Sequence, residues 1–196
     1  MPFSTDISWP AGLLSMFQLR SGELAPIQGR YNGPYNKILN YCFDTFDFFI
    51  APEFPRNQTA SSFHVNSLDP EISFIVFNAQ YLPVLFVQIK PDGWASRPDL
   101  RLKADKEMRE QYDSLTSTCP VPHLHGLSLL GTSLRVYCGD CFTREIEPTF
   151  EGRPSYYHAL PFDFLEGAWN LNILSQEGFI KMKEIVEYIF ARETLS

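Results

Sequence analysis

Apolar and polar positions follow two rhythms along the chain. Asn36 to Ile50, "NKILNYCFDTFDFFI", sets Ile38, Leu39, Cys42, Phe43, Phe46 and Phe49 at near-helical spacing, which predicts a helix with one buried face. Pro52 and Pro55 end it. Ser62 to Asn66 predicts a short strand. Glu71 to Phe77 and Leu82 to Lys90 are rich in Ile, Val and Phe and predict two longer strands joined by a turn at Asn78 to Tyr81. Asp99 to Thr116 returns to good helix formers, with Leu102, Met108, Tyr112 and Leu115 on related faces, until Cys119-Pro120-Val121-Pro122 breaks it. "VPHLHGLSLLGTSLRVYCGDCFTREI" predicts two or three strands with tight turns at Gly131 and Gly139-Asp140. "SQEGFIKMKEIVEYIFARE" predicts an amphipathic helix with Phe179, Met182, Ile185 and Val186 inward.

The order helix, three strands, helix, strands, helix predicts an α/β protein with one mixed sheet flanked by helices. Pro10, Gly12, Gly22, Pro26 and Gly29 break up the start of the chain, where only a short helix near Leu13 to Arg20 is predicted. The expected organisation is therefore one domain over residues 1–196, with an irregular extension over 1–35 and a core over 36–190.

Composition changes this picture in three ways. Aromatics make up 15% of the 196 residues, so the expected core is rich in rings. The net charge of −7 is a poor match for a protein that coats nucleic acid, because phosphate binding rests on Lys and Arg. Arg97, Arg101, Lys103, Lys106 and Arg109 nevertheless form a local basic strip, either a solvated helix face or a row of backbone-phosphate contacts. Four Cys are too few for a disulfide scaffold. No signal peptide and no membrane-length apolar run is read, so an intracellular chain in cytoplasm or nucleus, with no membrane partner, is the expectation.

The chemistry concentrates at one strand end, "VLFVQIKPDG". Residues two apart on a strand share a face, so Gln88 and Lys90 project together just before Pro91 stops the pairing, which suggests a cleft at the sheet's rim. The plain alternative is a strand end meeting solvent. Cys138 and Cys141 across a turn make half of a zinc knuckle, which His123 and His125 could complete. Zinc is disfavoured there, because nothing in sequence ties the His-x-His strand end to the Cys turn. A nucleophile elbow, a P-loop and a dinucleotide fingerprint are absent.

A helix, a hairpin carrying an acid, a strand ending in acid-x-Lys and a second helix is the layout of the PD-(D/E)XK nuclease superfamily. "FIVFNAQYLPVLFVQIKPD" resembles its second and third core strands. "QIKPD", "RLKADKEMREQYDSL", "VPHLHGLSLLGTSLRVY" and "WNLNILSQEGFIKMKEIVEYI" resemble fungal, especially mushroom, members, here with a Gln-x-Lys variant of the motif. The resemblance implies a restriction-endonuclease-like αβββαβ core with an added C-terminal helix. It implies a nuclease holding Mg²⁺ or Mn²⁺ and hydrolysing DNA or RNA phosphodiesters, in which the metal activates water and Lys90 stabilises charge. Asp69 and Gln88 would be metal ligands, with Glu71 or Asp44 auxiliary and Asp47 a further helix-borne choice. Gln88 stands where Asp or Glu is usual, and Asp92 is a compensating acid. The alternative is a catalytically inactive relative that binds a protein or nucleic-acid partner.

Overall fold

A computed structural model of the chain describes residues 2–20, 27–53, 72–155 and 158–193. In chain order the elements are α1 (Pro2–Thr5), α2 (Ala11–Arg20), α3 (Ile27–Cys42), β1 (Phe48–Glu53), β2 (Ile72–Asn78) and β3 (Pro83–Lys90). A 3₁₀ segment (Asp92–Ser96) leads into α4 (Pro98–Leu115), followed by β4 (His123–Leu130), β5 (Ser133–Asp140), β6 (Ile146–Glu147), β7 (Leu171–Asn172) and α5 (Gln176–Glu193). The strands form one open mixed sheet in the order β1-β2-β3-β4-β5-β6, with β7 beside β5. The β1–β2 and β2–β3 pairs are antiparallel. β3 and β4 are parallel, joined by the α4 crossover.

That crossover makes β3 an interior strand, and all eight of its residues are buried. Val87 and Ile89 face the larger core, shared with Tyr35, Ile38 and Leu39 of α3 and Phe179, Met182 and Ile185 of α5. Phe86 faces the other way, toward Met108 and Tyr112 of α4. The sheet is thus covered on both sides, and the strand end at Lys90 is an interior position rather than a rim.

The β2–β3 hairpin, α4 and α5 fall where periodicity puts them. The aromatic run after Asn36 does not. α3 starts at Ile27 and ends at Cys42, and the residues from Phe48 onward form β1, with Phe48 opposite Asn78 and Glu53 opposite Ser73. Phe46, which helical spacing turns inward, is fully exposed. The Thr45 N–H bonds the Phe43 carbonyl at 2.8 Å and closes a turn there. Phe48 is then taken up by rings from two helical segments, 5.4 Å from Phe43 and 4.8 Å from Phe190.

The early residues are also more ordered than their Pro and Gly content predicts. Phe3 and Trp9 pack against Phe179 at 5.3 and 5.0 Å, and Trp9 Nε1 donates to the Ile173 carbonyl at 2.8 Å. α3 runs through Pro34 because tertiary anchors outweigh local propensity. Tyr35 Oη donates to the Gly131 carbonyl at 2.7 Å, and Tyr31 Oη to Asp92. Gly139-Asp140 is not a turn either. Both residues end β5, and Asp140 Oδ1 caps the N–H groups of Phe142 and Thr143 at 2.8 and 2.7 Å, moving the turn beyond it. The strand expected at Ser62 to Asn66 lies outside the described residues. Among the described residues no helix is long and apolar enough to cross a membrane.

α4 lies close on the sheet because two strand positions lack side chains. A Cβ on Gly126 would meet Phe86 at 2.7 Å, and one on Gly139 would meet the Tyr112 ring at 2.5 Å. Gly139→Val is therefore expected to lower the unfolding free energy by about 1–3 kcal/mol through overpacking. Gly93→Ala, where a Cβ meets nothing within 4 Å, is expected to leave it within about 0.5 kcal/mol. Urea denaturation of the two variants measures the difference.

Candidate functional site

Strand β3 delivers Gln88 and Lys90 to the same face, beneath α4. Pro91 then ends the ladder because it has no N–H. The Lys90 carbonyl accepts the Gly131 N–H at 2.9 Å, which ties the strand end to the β4–β5 turn. Gly131 has φ +64, and a Cβ there would stand 2.0 Å from Asp92 Oδ1, so the position needs glycine on both counts. Asp92, the compensating acid of the sequence reading, is turned to α3. Tyr31 Oη lies 2.7 and 2.6 Å from its two oxygens, and Arg30 Nη1 lies 3.3 Å away. Burial, then the hydrogen-bonded carboxylate, holds the Tyr31 phenol well above its ordinary range.

Lys90 is 2% exposed. Its Nζ lies 2.6 Å from Glu107 Oε2 of α4 and 5.1 Å from the Trp94 ring centroid. Lys103 approaches the same ring from the surface side of α4 at 5.2 Å, with its Nζ 3.9 Å from Glu107 Oε1. The indole therefore sits between two ammonium groups that share one carboxylate. The ring face and the Glu107 carboxylate both attract the ammonium groups beside them.

Gln88 belongs to a polar row crossing the sheet: Ser73, Gln88, Ser128 and Arg135 are successive cross-strand partners. Ser128 Oγ accepts from Trp169 Nε1 at 3.1 Å. Gln88 is 4% exposed, and its Oε1 has no hydrogen-bond partner among the described residues. A buried carbonyl oxygen left so costs about 1–3 kcal/mol, which makes it a place where a cation or a bound molecule gains most.

Beside this row is a second ionic cluster that sequence reasoning missed. Asp105 is fully buried. It accepts from Tyr137 Oη at 2.7 Å and from Arg109 Nε and Nη2 at 3.0 and 3.2 Å, and Arg135 Nη1 stands 3.3 Å away in ion-pair range. Both guanidiniums lie against the Tyr137 ring; Arg109 also meets Phe150, and Arg135 meets Trp169. Burial and the Asp105 charge raise the Tyr137 phenol far above normal. The signal was present in α4, where Arg101, Asp105, Met108 and Tyr112 are all buried at helical spacing. Extending the stripe of Met108 and Tyr112 one turn back reaches Asp105.

Two of the five residues of the basic strip are committed to internal contacts. Arg101 is buried, and it donates to the carbonyls of Phe164, Ala95 and Phe162 at 2.9, 2.6 and 2.6 Å. Arg109 is held by Asp105 and the Pro148 carbonyl. Neither offers a row of phosphate contacts. Arg97 pairs with Asp99 at 2.8 Å, and Lys103 and Lys106 are the strip's exposed lysines. Asp44 and Asp47 are exposed in the turn before Phe48, which pairs with Asn78 at the opposite end of the sheet from Lys90. The structure thus does not bring Asp44 to Lys90. Asp69 and Glu71 lie outside the described residues.

On the α5 side, a cleft of ≈ 540 Å³ is lined by His123, His125, Cys138, Lys181, Glu184 and Tyr188, among others. Contrary to the sequence argument, the His-x-His strand is tied directly to the cysteine strand: His125 pairs with Cys138 and His123 with Asp140. Even so, among the described residues no group of three or more His, Cys, Asp or Glu is placed to hold a metal ion. His125 is half-buried against Tyr188, 5.2 Å between ring centroids, and its Nδ1 has no hydrogen-bond partner among the described residues. Burial, then repulsion from His123 and Lys181, pushes its pKa down to about 4.

With this geometry in view, no protein-family model, curated protein or solved structure matches the chain. Fit to a Mg²⁺ ion can be judged on the donors. The ion needs about six oxygen ligands, several of which are usually water or substrate phosphate. Gln88 Oε1 is an orphaned hard oxygen at the right strand position. The Glu107 carboxylate is already paired with Lys90, so it adds no free charge beside that oxygen.

Lys90→Met is expected to destabilise by about 1–3 kcal/mol, since it leaves the part-buried Glu107 with only the more distant Lys103 as counter-charge. Adding Glu107→Leu should recover much of that loss, and a double-mutant cycle by chemical denaturation reads the coupling. His125 carries the opposite kind of prediction. Its folded pKa lies below the unfolded value of about 6.5, so its contribution is complete above that pH and is lost as pH falls toward 4. Replacing it by Gln should flatten the acid side of the stability profile.

Proposed function

We propose that the chain is a nuclease of PD-(D/E)XK type, a Mg²⁺-dependent hydrolase of nucleic-acid phosphodiesters with its site at the C-terminal end of β3. The observation that carries this reading is the pairing of Gln88, whose amide oxygen is buried and unsatisfied, with Lys90 on one face of that strand. It is supported by the element order α3-β1-β2-β3-α4-β4, in which an antiparallel meander is followed by a parallel crossover, the order that the resemblance implies.

In this reading Gln88 Oε1 would hold the ion, with Asp69 and Glu71 as the carboxylates the resemblance implies, and the ion would supply activation of water and a counter-charge. Lys90 supplies a fixed positive charge that costs no reorganisation, because Trp94 and Glu107 hold its ammonium in place. Glu107 positions that ammonium, and a phosphate oxygen entering the site would compete with Glu107 for the same donor. Trp94 excludes water from above the pair.

A second reading, a non-hydrolytic relative that binds a protein or nucleic-acid partner, is favoured by one feature. Lys90 is closed in, and two of the five strip cations, Arg101 and Arg109, are spent on internal contacts.

Incubation with plasmid, single-stranded DNA and RNA, with Mg²⁺ or Mn²⁺ and with chelator, separates the two. The nuclease reading expects metal-dependent cutting that falls by about 10²–10³ in Lys90→Ala, with circular dichroism checking that the variant folds. It further expects Gln88→Glu to tighten Mn²⁺ binding in calorimetry, because a carboxylate replaces a neutral amide. No cutting of any substrate, together with no heat of metal binding, leaves the second reading.

A further inference from the structure

The outer edge of β5 is covered in two pieces with a gap between them. β6 pairs with Cys138 and Gly139, and β7 pairs with Ser133 and Leu134. The Asp140 N–H bonds the Glu145 carbonyl and the Ile173 N–H bonds the Thr132 carbonyl, at 2.9 and 3.0 Å. Even-numbered residues of β5 therefore turn their main-chain groups to this edge. Val136 falls between the two short strands and has no strand partner there among the described residues. Its N–H and C=O point into the gap.

A notch of ≈ 430 Å³ opens at this gap, lined by Arg135, Val136, Pro148, Asn170 and Lys181, among others. No acid among the described residues lines it. Arg135 is 9% exposed, and its guanidinium lies against the rings of Tyr137 and Trp169, 5.0 and 5.2 Å from their centroids. Its Nη1 stands 3.3 Å from Asp105 Oδ1 but has no hydrogen-bond partner among the described residues. Asp105 answers two guanidiniums with one carboxylate, because Arg109 already donates to both of its oxygens. A buried guanidinium with an unused donor, beside a cavity free of acids, is a place where an anion gains most. The notch continues into the ≈ 540 Å³ cleft on the α5 side, since Val136, Pro148 and Lys181 line both. The walls there include Ile185 and Tyr188, together with the acids Glu147 and Glu184.

We propose that notch and cleft together bind one small organic monocarboxylate, its head held by Arg135, Lys181 and the Val136 N–H and its apolar body laid against Ile185 and Tyr188. A cavity of this size, mostly apolar with a few convergent polar groups, suits a small ligand. The flat carboxylate matches the flat guanidinium and can take two parallel hydrogen bonds from it. One negative charge fits better than two. Lys181 is bonded to Glu184, Arg135 shares Asp105, and Glu147 borders the same space, so a phosphate dianion meets more repulsion than a carboxylate. The notch lies on the β5 edge, two strands from β3, so its occupancy does not depend on the nuclease reading.

Calorimetric titration of the full chain with octanoate, octanol and octyl phosphate tests the assignment. Octanoate is expected to bind once per chain, at least tenfold more tightly than either of the others. Lys181→Met is expected to weaken octanoate at least threefold and Arg135→Gln at least tenfold, with circular dichroism checking that each folds. Should Arg135→Gln not fold, the wild-type chain gives a second readout. The indole N–H resonance of Trp169, whose ring meets Arg135, is expected to shift with the same midpoint as the heat. Equal affinity for octanoate and octanol, tighter binding of octyl phosphate, no heat at millimolar octanoate, an unchanged affinity in Lys181→Met, or a Trp169 resonance that stays still would each overturn the proposal.

Discussion

The close seat of α4 on the sheet governs where every ionisable group of the candidate site can go. With glycine at 126 and 139, Met108 and Tyr112 reach the strands directly. The same helix then carries Glu107 to Lys90 and Asp105 to Arg135. Had either glycine a side chain, the helix would stand off, and two buried cations on the sheet would lose their counter-charges. Close packing and charge neutralisation are here one constraint, because a buried ion is tolerated only when its partner arrives at contact distance.

The polar groups on this face are arranged in two tiers with different character. Asp105 is saturated: Tyr137, Arg109 and Arg135 surround it, and aromatic rings cover the guanidiniums. That tier is an ionic network in which Arg135 Nη1 is held by the Asp105 charge without a hydrogen bond among the described residues. The Gln88 and Lys90 tier is different. One amide oxygen is unsatisfied among the described residues, and the ammonium shares its carboxylate with Lys103. Rearrangement there costs less than in the Asp105 cluster. The surface above it is mixed in sign, with Asp99, Glu110 and Asp113 near the exposed lysines of α4. Long-range attraction of a polyanion to this face is correspondingly weak.

Local pattern carried the fold where it agreed with the tertiary outcome. β2, β3, α4 and α5 could be read from period and composition, and so could the common face of Gln88 and Lys90, because side-chain alternation on a strand is geometric. The part of α3 before Asn36 could not, because Gly33 and Pro34 argue against a helix until Tyr31 and Tyr35 find Asp92 and Gly131 far along the chain. The turn into β1 was hidden by an aromatic run that suits either period. At the site, Lys90 was legible but Glu107 was not, since an acid between inward-facing helical positions looks like any surface acid. Arg101 was misread for a related reason. Its partners are carbonyls near Phe162 and Phe164, and no spacing rule links an arginine to a loop so distant.

The polar row across the sheet also acts as an alignment key during strand pairing. Sliding β3 by one residue would send Gln88 and Lys90 to the face packed with Tyr35, Ile38 and Phe179, where no acid waits among the described residues of that cluster. An apolar strand as uniform as Val84 to Val87 has little of its own to distinguish one alignment from the next. The ammonium at its far end penalises the wrong choice heavily, so a group usually regarded as a burden in a protein interior makes the correct pairing the only affordable one.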